Sequence, residues 1–120
     1  MRRIALLVFV LAVAPAGAAT APSGLRGVVT RGPITPVCVA EQPCDAPAKH
    51  ATLIFSRHGS VAGRTTTDTE GRYRVQLPPG LYQVSRAVGS KIGRGLEPDQ
   101  ASVRLGRFVR IDFSIDTGIR

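Results

Sequence analysis

The chain has 120 residues with 13 glycines, 9 prolines and two cysteines, and 16 Lys and Arg against 8 Asp and Glu give a formal charge of +8. A chain of this size buries one core and not two, and 43% hydrophobic content excludes a chain too polar to fold. The positive charge favours anionic partners and says nothing by itself about fold.

The first segment opens with Arg2 and Arg3, continues with an apolar run over 4–14, and passes through Pro15 into Ala16, Gly17, Ala18 and Ala19. That order is a three-part secretory signal, with small residues where an export peptidase cuts. Cleavage is expected after Ala18, dividing the chain into a signal peptide, 1–18, and one domain, 19–120. The apolar run of eleven residues falls short of the roughly 20 a spanning helix needs. No later segment reaches that length, so no membrane span is expected after cleavage, and the mature protein is placed outside the cytoplasm, secreted or periplasmic. Loss of Arg2 and Arg3 leaves fourteen basic groups against eight acids, or +6.

Within 19–120 no 3.6-residue stripe occurs; short alternating runs are separated by glycine and proline, the pattern of an all-β sandwich. Strands are predicted over 24–30, 51–56, 61–67, 72–77, 81–88, 101–105 and 108–115. A long proline-rich loop over 32–47 separates the first two and carries Cys38 and Cys44. Asp68, Thr69, Glu70 and Gly71 read as a bulged hairpin between the third and fourth strands, with glycine supplying positive φ. The fourth strand is the clearest: Tyr73, Val75 and Leu77 alternate with Arg72, Arg74 and Gln76. Pro78, Pro79 and Gly80 read as a type II turn. The segment 89–95 reads as a mobile loop. In the last strand Val109, Ile111, Phe113 and Ile115 are expected inward, with Arg110, Asp112 and Ser114 outward.

An exported chain with two cysteines points to a disulfide between Cys38 and Cys44, a local staple contributing about 2 kcal/mol. A zinc site on those thiols, with His50 as the nearby imidazole, falls one ligand short. A redox pair would show the two-residue spacing that tunes a thiolate. No metal ligand set or cofactor motif is therefore assigned.

The run Thr67, Asp68, Thr69, Glu70, Gly71, Arg72, Tyr73, followed by Leu77, Pro78, Pro79, Gly80, Leu81, Tyr82, resembles the signature of carboxypeptidase regulatory-like domains, which belong to the transthyretin-like sandwiches. The resemblance implies a seven-stranded Greek-key β-sandwich. It implies little about activity, since such modules accompany catalytic or transport domains without performing chemistry. The long disulfide loop departs from the short turn such modules place between their first two strands.

The sequence carries no catalytic motif that its context supports. Arg57, His58 and Gly59 after a strand resemble the phosphate-accepting tripeptide of histidine phosphatases, but a larger scaffold and further converging arginines are missing, and a polar hairpin turn explains the same residues. Transthyretin-like hydrolases of a purine-derived substrate carry paired histidines and a tyrosine, arginine, glycine, serine tail; this chain ends Asp116, Thr117, Gly118, Ile119, Arg120. Neither a nucleophile elbow nor a phosphate-binding glycine loop is present. No catalytic, cofactor-binding or metal-binding residue is therefore expected.

The expected function is a non-enzymatic binding or structural module of the secreted or periplasmic compartment, associated with the cell envelope, with a small hydrolase or ligand-binding enzyme of transthyretin-like fold as the alternative. Two candidate sites are read: a binding loop with Lys91 and Arg94, and a basic face of Arg72, Arg74, Arg104 and Arg110. Its partner is expected to be an anionic envelope polymer or another protein. Nucleic acid is not expected, because Tyr73, Tyr82, Phe55 and Phe113 occupy core positions instead of interleaving with the arginines.

Overall fold

A computed structural model describes residues 21–89, 91–93 and 95–119. The expected signal peptide lies outside the described residues. In chain order the strands are β1 (Gly24–Gly32), β2 (Ala46–Pro47), β3 (Thr52–Arg57), β4 (Ser60–Thr66), β5 (Arg72–Gln76), β6 (Gly80–Val88), β7 (Lys91–Gly93), β8 (Leu96–Glu97), β9 (Gln100–Val103), β10 (Phe108–Arg110) and β11 (Phe113–Asp116).

They form two sheets. In the first, β1 is the spine: β5 and β2 pair antiparallel with successive parts of it, and β10 and β11 pair parallel with it, with β8 outside β11. In the second, β4, β3 and β6 lie side by side, and β9 and β7 share the far edge of β6. The sheets face each other over one core. Leu25, Val29, Tyr73, Val75, Phe113 and Ile115 of the first sheet meet Leu53, Phe55, Tyr82, Val84, Ala101 and Val103 of the second, all buried. Tyr73 sits between Phe55 and Phe113, at ring-centre distances of 6.5 and 5.6 Å. Each buried Val, Leu, Ile or Phe side chain among them contributes about 1.5–3 kcal/mol by leaving water.

This is the all-β sandwich expected from the period-two alternation. Each of the seven predicted runs is a strand; β2, β7 and β8 are additional short pieces, and the last run divides into β10 and β11. The inward set of that run keeps its parity: Phe113 and Ile115 are buried, and Val109 and Ile111 pack against the core.

Four local expectations are corrected. Asp68 to Gly71 does close a turn, with the Asp68 N–H donating to the Arg72 carbonyl at 3.0 Å and Gly71 at φ 79°. The strands it joins, however, lie in opposite sheets, because β5 pairs with β1 while β4 pairs with β3. The Thr65 hydroxyl, donating to the Arg74 carbonyl at 3.0 Å, ties them instead. The type II turn at Pro78–Gly80 is absent: Gly80 has φ 149° and already begins β6, whereas that turn needs φ near +80°. The chain needs no reversal within one sheet there, since it is crossing from β5 to β6. The segment after β6 is not simply a loop, since 91–93 pair with Arg86, Ala87 and Val88 as β7. Finally, the disulfide loop carries β2 at its end, fastened to Thr30 and Arg31.

Thr67, buried and polar, shows how the central residues hold the fold. Its hydroxyl donates to the Ala48 carbonyl at 2.5 Å and accepts from the Ala51 N–H at 2.8 Å, fixing the entry to β3. Similarly, the Tyr82 hydroxyl donates to the Pro78 carbonyl at 2.5 Å and secures the crossing into β6.

Candidate functional site

Leu25 and Val29 face the core, so Arg26, Val28 and Thr30 lie on the outer face of the first sheet. The register of β1 pairs Arg26 with Arg74 on β5 and with Arg110 on β10. Three arginines therefore stand abreast on neighbouring strands, about 4.8 Å apart in the pairing direction. Arg72 pairs with Val28 in the next outward row. A shallow depression is lined by Arg26, Val28, Arg72, Arg74 and Arg110.

The expected basic face thus gathers Arg72, Arg74 and Arg110. It does not gather Arg104, which follows β9 in the opposite sheet. Arg26 was missed. Its outward parity is visible in the alternation with Leu25, but its placement between Arg74 and Arg110 follows from a parallel pairing that no local pattern announces.

Carboxylates divide the four arginines. Arg72 is bound by Asp68 at 3.3 Å and by Glu70. Asp68 also accepts the N–H groups of Glu70 and Arg72 at 2.8 and 2.9 Å. The Arg72 N–H foremost, then that of Glu70, holds the Asp68 carboxyl below its ordinary value. Arg110 lies 3.3 Å from Asp112, whose carboxylate accepts the Val28 N–H at 2.9 Å. That backbone bond first, and then Arg110 and Arg26, keep Asp112 below the usual carboxylate range. Arg74 instead stacks on the Phe108 ring, 3.7 Å from its centre. The positive centre of the face is accordingly Arg26 and Arg74, with Arg72 and Arg110 as charge-balanced flanks.

The far end of the same sheet is acidic. Asp45, Glu97 and Asp116 border a depression with Thr30, Gly32 and Ser114. Gly32 pairs with Asp116 six residues beyond Arg26, about 20 Å along the strand. One face thus carries a positive row at one end and a negative one at the other.

The other candidates fall elsewhere. His58 and Gly59, at φ 54° and 78°, form the two-residue turn between the paired Arg57 and Ser60, a type I′ hairpin. His50 precedes β3 and His58 follows it, so the two imidazoles stand at opposite ends of a six-residue strand. Arg57 donates to the Pro79 carbonyl at 2.9 Å and stacks over Tyr82, a structural use of the phosphatase-like tripeptide. Lys91 lies in β7, and Arg94 lies outside the described residues. Cys38 and Cys44 are bonded, and the Ile34 N–H donating to the Cys44 carbonyl at 2.7 Å folds their loop back on itself. Among the described residues no group of three or more His, Cys, Asp or Glu could hold a metal ion.

No protein-family model matches the sequence, and no curated protein matches it significantly. Among solved structures the chain is similar to the Bacillus anthracis TIE protein, with 17% identity and a TM-score of 0.50 over 81% of this chain and 16% of that one. It also aligns with GBS52, the minor pilin of Streptococcus agalactiae, with 11% identity and a TM-score of 0.48 over 92% of this chain and 49% of that one. The chain spans less than half the length of either protein. The likeness to the first is one of fold.

Proposed function

We propose that this chain is a carboxypeptidase regulatory-like β-sandwich, exported by a signal peptide over 1–18, whose domain over 19–120 works at the cell surface or envelope by binding and not by catalysis. Its docking surface is the row Arg74, Arg26 and Arg110, and its partner is a phosphate-bearing envelope polymer.

The observation that carries this reading is the register that sets three arginines abreast on β5, β1 and β10. Guanidinium groups match phosphate oxygens by paired hydrogen bonds, and a row of them repeats that match along a chain of phosphates. The acids at the other end of β1 give direction: an anionic polymer crosses the strands at Arg26 and is repelled by Asp45 and Glu97. The disulfide supports export, since such bonds persist in oxidising compartments. The separation of His50 from His58 by the length of β3 supports binding over hydrolysis, because the two imidazoles cannot act together as one acid–base pair.

Long-chain polyphosphate, titrated into the purified protein, tests the reading. The double variant Arg26→Glu and Arg74→Glu is expected to lose roughly tenfold or more in affinity, equivalent to about 1.4 kcal/mol or more, while Arg104→Glu retains binding. Equal loss in both variants would leave only net charge as the cause and refute the site.

A further inference from the structure

Two arginines stand where the core alternation calls for apolar side chains. On β1 the inward positions run Leu25, Gly27, Val29 and then Arg31, which pairs with buried Ile115. On β6 they run Tyr82, Val84 and then Arg86, which pairs with buried Leu53. Both sheets therefore end their inner faces in a guanidinium at the same mouth of the sandwich. Lys49, from the turn before β3, joins them.

The three cations line a cleft of about 550 Å³ between the sheets, with Ala51, Val88 and Ile115 among its apolar walls. That volume lies in the range of small-molecule sites. Among the described residues its lining holds no carboxylate. Gly93 on β7 contributes by its missing side chain: a Cβ there would run into the Val88 methyl and lie 3.2 Å from the Arg86 guanidinium carbon. Three cationic side chains thus border one cleft with apolar walls, and an anion placed there meets opposite charge from both sheets.

We infer that this cleft binds a phosphate monoester with an apolar tail, its head held by Arg31, Arg86 and Lys49 and its tail laid against Ala51, Val88 and Ile115. A phosphate monoester carries close to two negative charges at neutral pH and three acceptor oxygens, which suits three cations better than a carboxylate does. The cleft opens between the sheets at the Arg31 end, whereas the polymer row lies on the outer face at the Arg26 end, so the two proposals stand or fall separately.

Calorimetric titration of the protein with octyl phosphate, inorganic phosphate, octanol and octanoate tests the inference. Octyl phosphate is expected to bind with one equivalent and at least tenfold more tightly than each of the other three. Arg31→Gln and Arg86→Gln are each expected to weaken it tenfold or more, with melting temperature confirming that the variant folds. Lys49→Gln, at an exposed position before β3, gives the same reading should an arginine variant fail to fold, and Arg104→Gln leaves binding unchanged. Octyl phosphate binding that survives these substitutions overturns the site. Octanoate or inorganic phosphate binding as tightly as octyl phosphate overturns the ligand class.

Discussion

The Tyr73 hydroxyl donates to the Ile111 carbonyl at 2.5 Å, and that bond fixes the break between β10 and β11. With Ile111 turned toward Tyr73, its N–H donates to the Arg26 carbonyl at 2.8 Å and Asp112 reaches the Val28 N–H at 2.9 Å. The positive row and its carboxylate are thus positioned from the core. Tyr73→Phe leaves a half-buried carbonyl without its donor and is expected to cost about 1–3 kcal/mol in chemical denaturation.

The same phenol gives an alkaline signature. Burial first, and then the charge of Asp112, raise the Tyr73 hydroxyl above its ordinary value of 10.0. Its folded value lies above its unfolded one, so its contribution is complete below about pH 10 and is lost as pH rises beyond. Wild type is expected to lose stability steeply there, and Tyr73→Phe to lose less. Melting temperatures across the alkaline range check this.

Gly27 allows the break to press against β1, since a Cβ there would collide with the Ile111 carbonyl and come within 2.8 Å of the Asp112 carboxylate. Gly27→Ala forces that backbone apart and is expected to destabilise by about 1–3 kcal/mol. Amide exchange should rise first at Val28 and Ile111, the donors that β1 and the break exchange.

Asp112 and Asp68 both ionise more readily in the fold than the ordinary 3.8. A depressed carboxyl contributes stability that is present above its unfolded value and lost as pH falls through the folded one. Below about pH 4 the wild type is therefore expected to weaken, and Asp112→Asn to weaken less. Thermal melts from neutral pH downward measure the difference in slope.

The Cys38–Cys44 bond closes a loop with a sequence separation of 6 at the end of β1. Replacing both cysteines with serine is expected to cost about 2 kcal/mol by the loop-entropy argument. Exchange protection should fall at Ile34 and Gln42, whose N–H groups bond within the loop, and persist in β3 and β6.

Much of this architecture is legible in the residues themselves, because a strand buried on one face writes its period into the sequence. Tyr73, Val75, Phe113 and Ile115 are buried as their alternation requires. The break at Ile111 is silent because it preserves parity, so Phe113 stays inward on either side of it. The turn at Asp68–Gly71 shows its chemistry but not its destination, since the same residues can join strands of one sheet or two. Arg26 could be read as outward, but its neighbours depend on pairings across more than forty residues of chain. Arg31 and Arg86 carried a signal in their inward parity. Reading it required knowing that the ends of β1 and β6 meet at one mouth.

The central claim is that the Arg74, Arg26 and Arg110 row receives an anionic polymer, and backbone amide chemical-shift mapping with long-chain polyphosphate tests it most directly. Shifts are expected to centre on residues 25–28, 73–75 and 108–111 and to shrink strongly between low and high salt, as screening weakens an exposed charge contact. Shifts centred on Asp45, Gly32 and Asp116, or shifts indifferent to salt, would contradict the account.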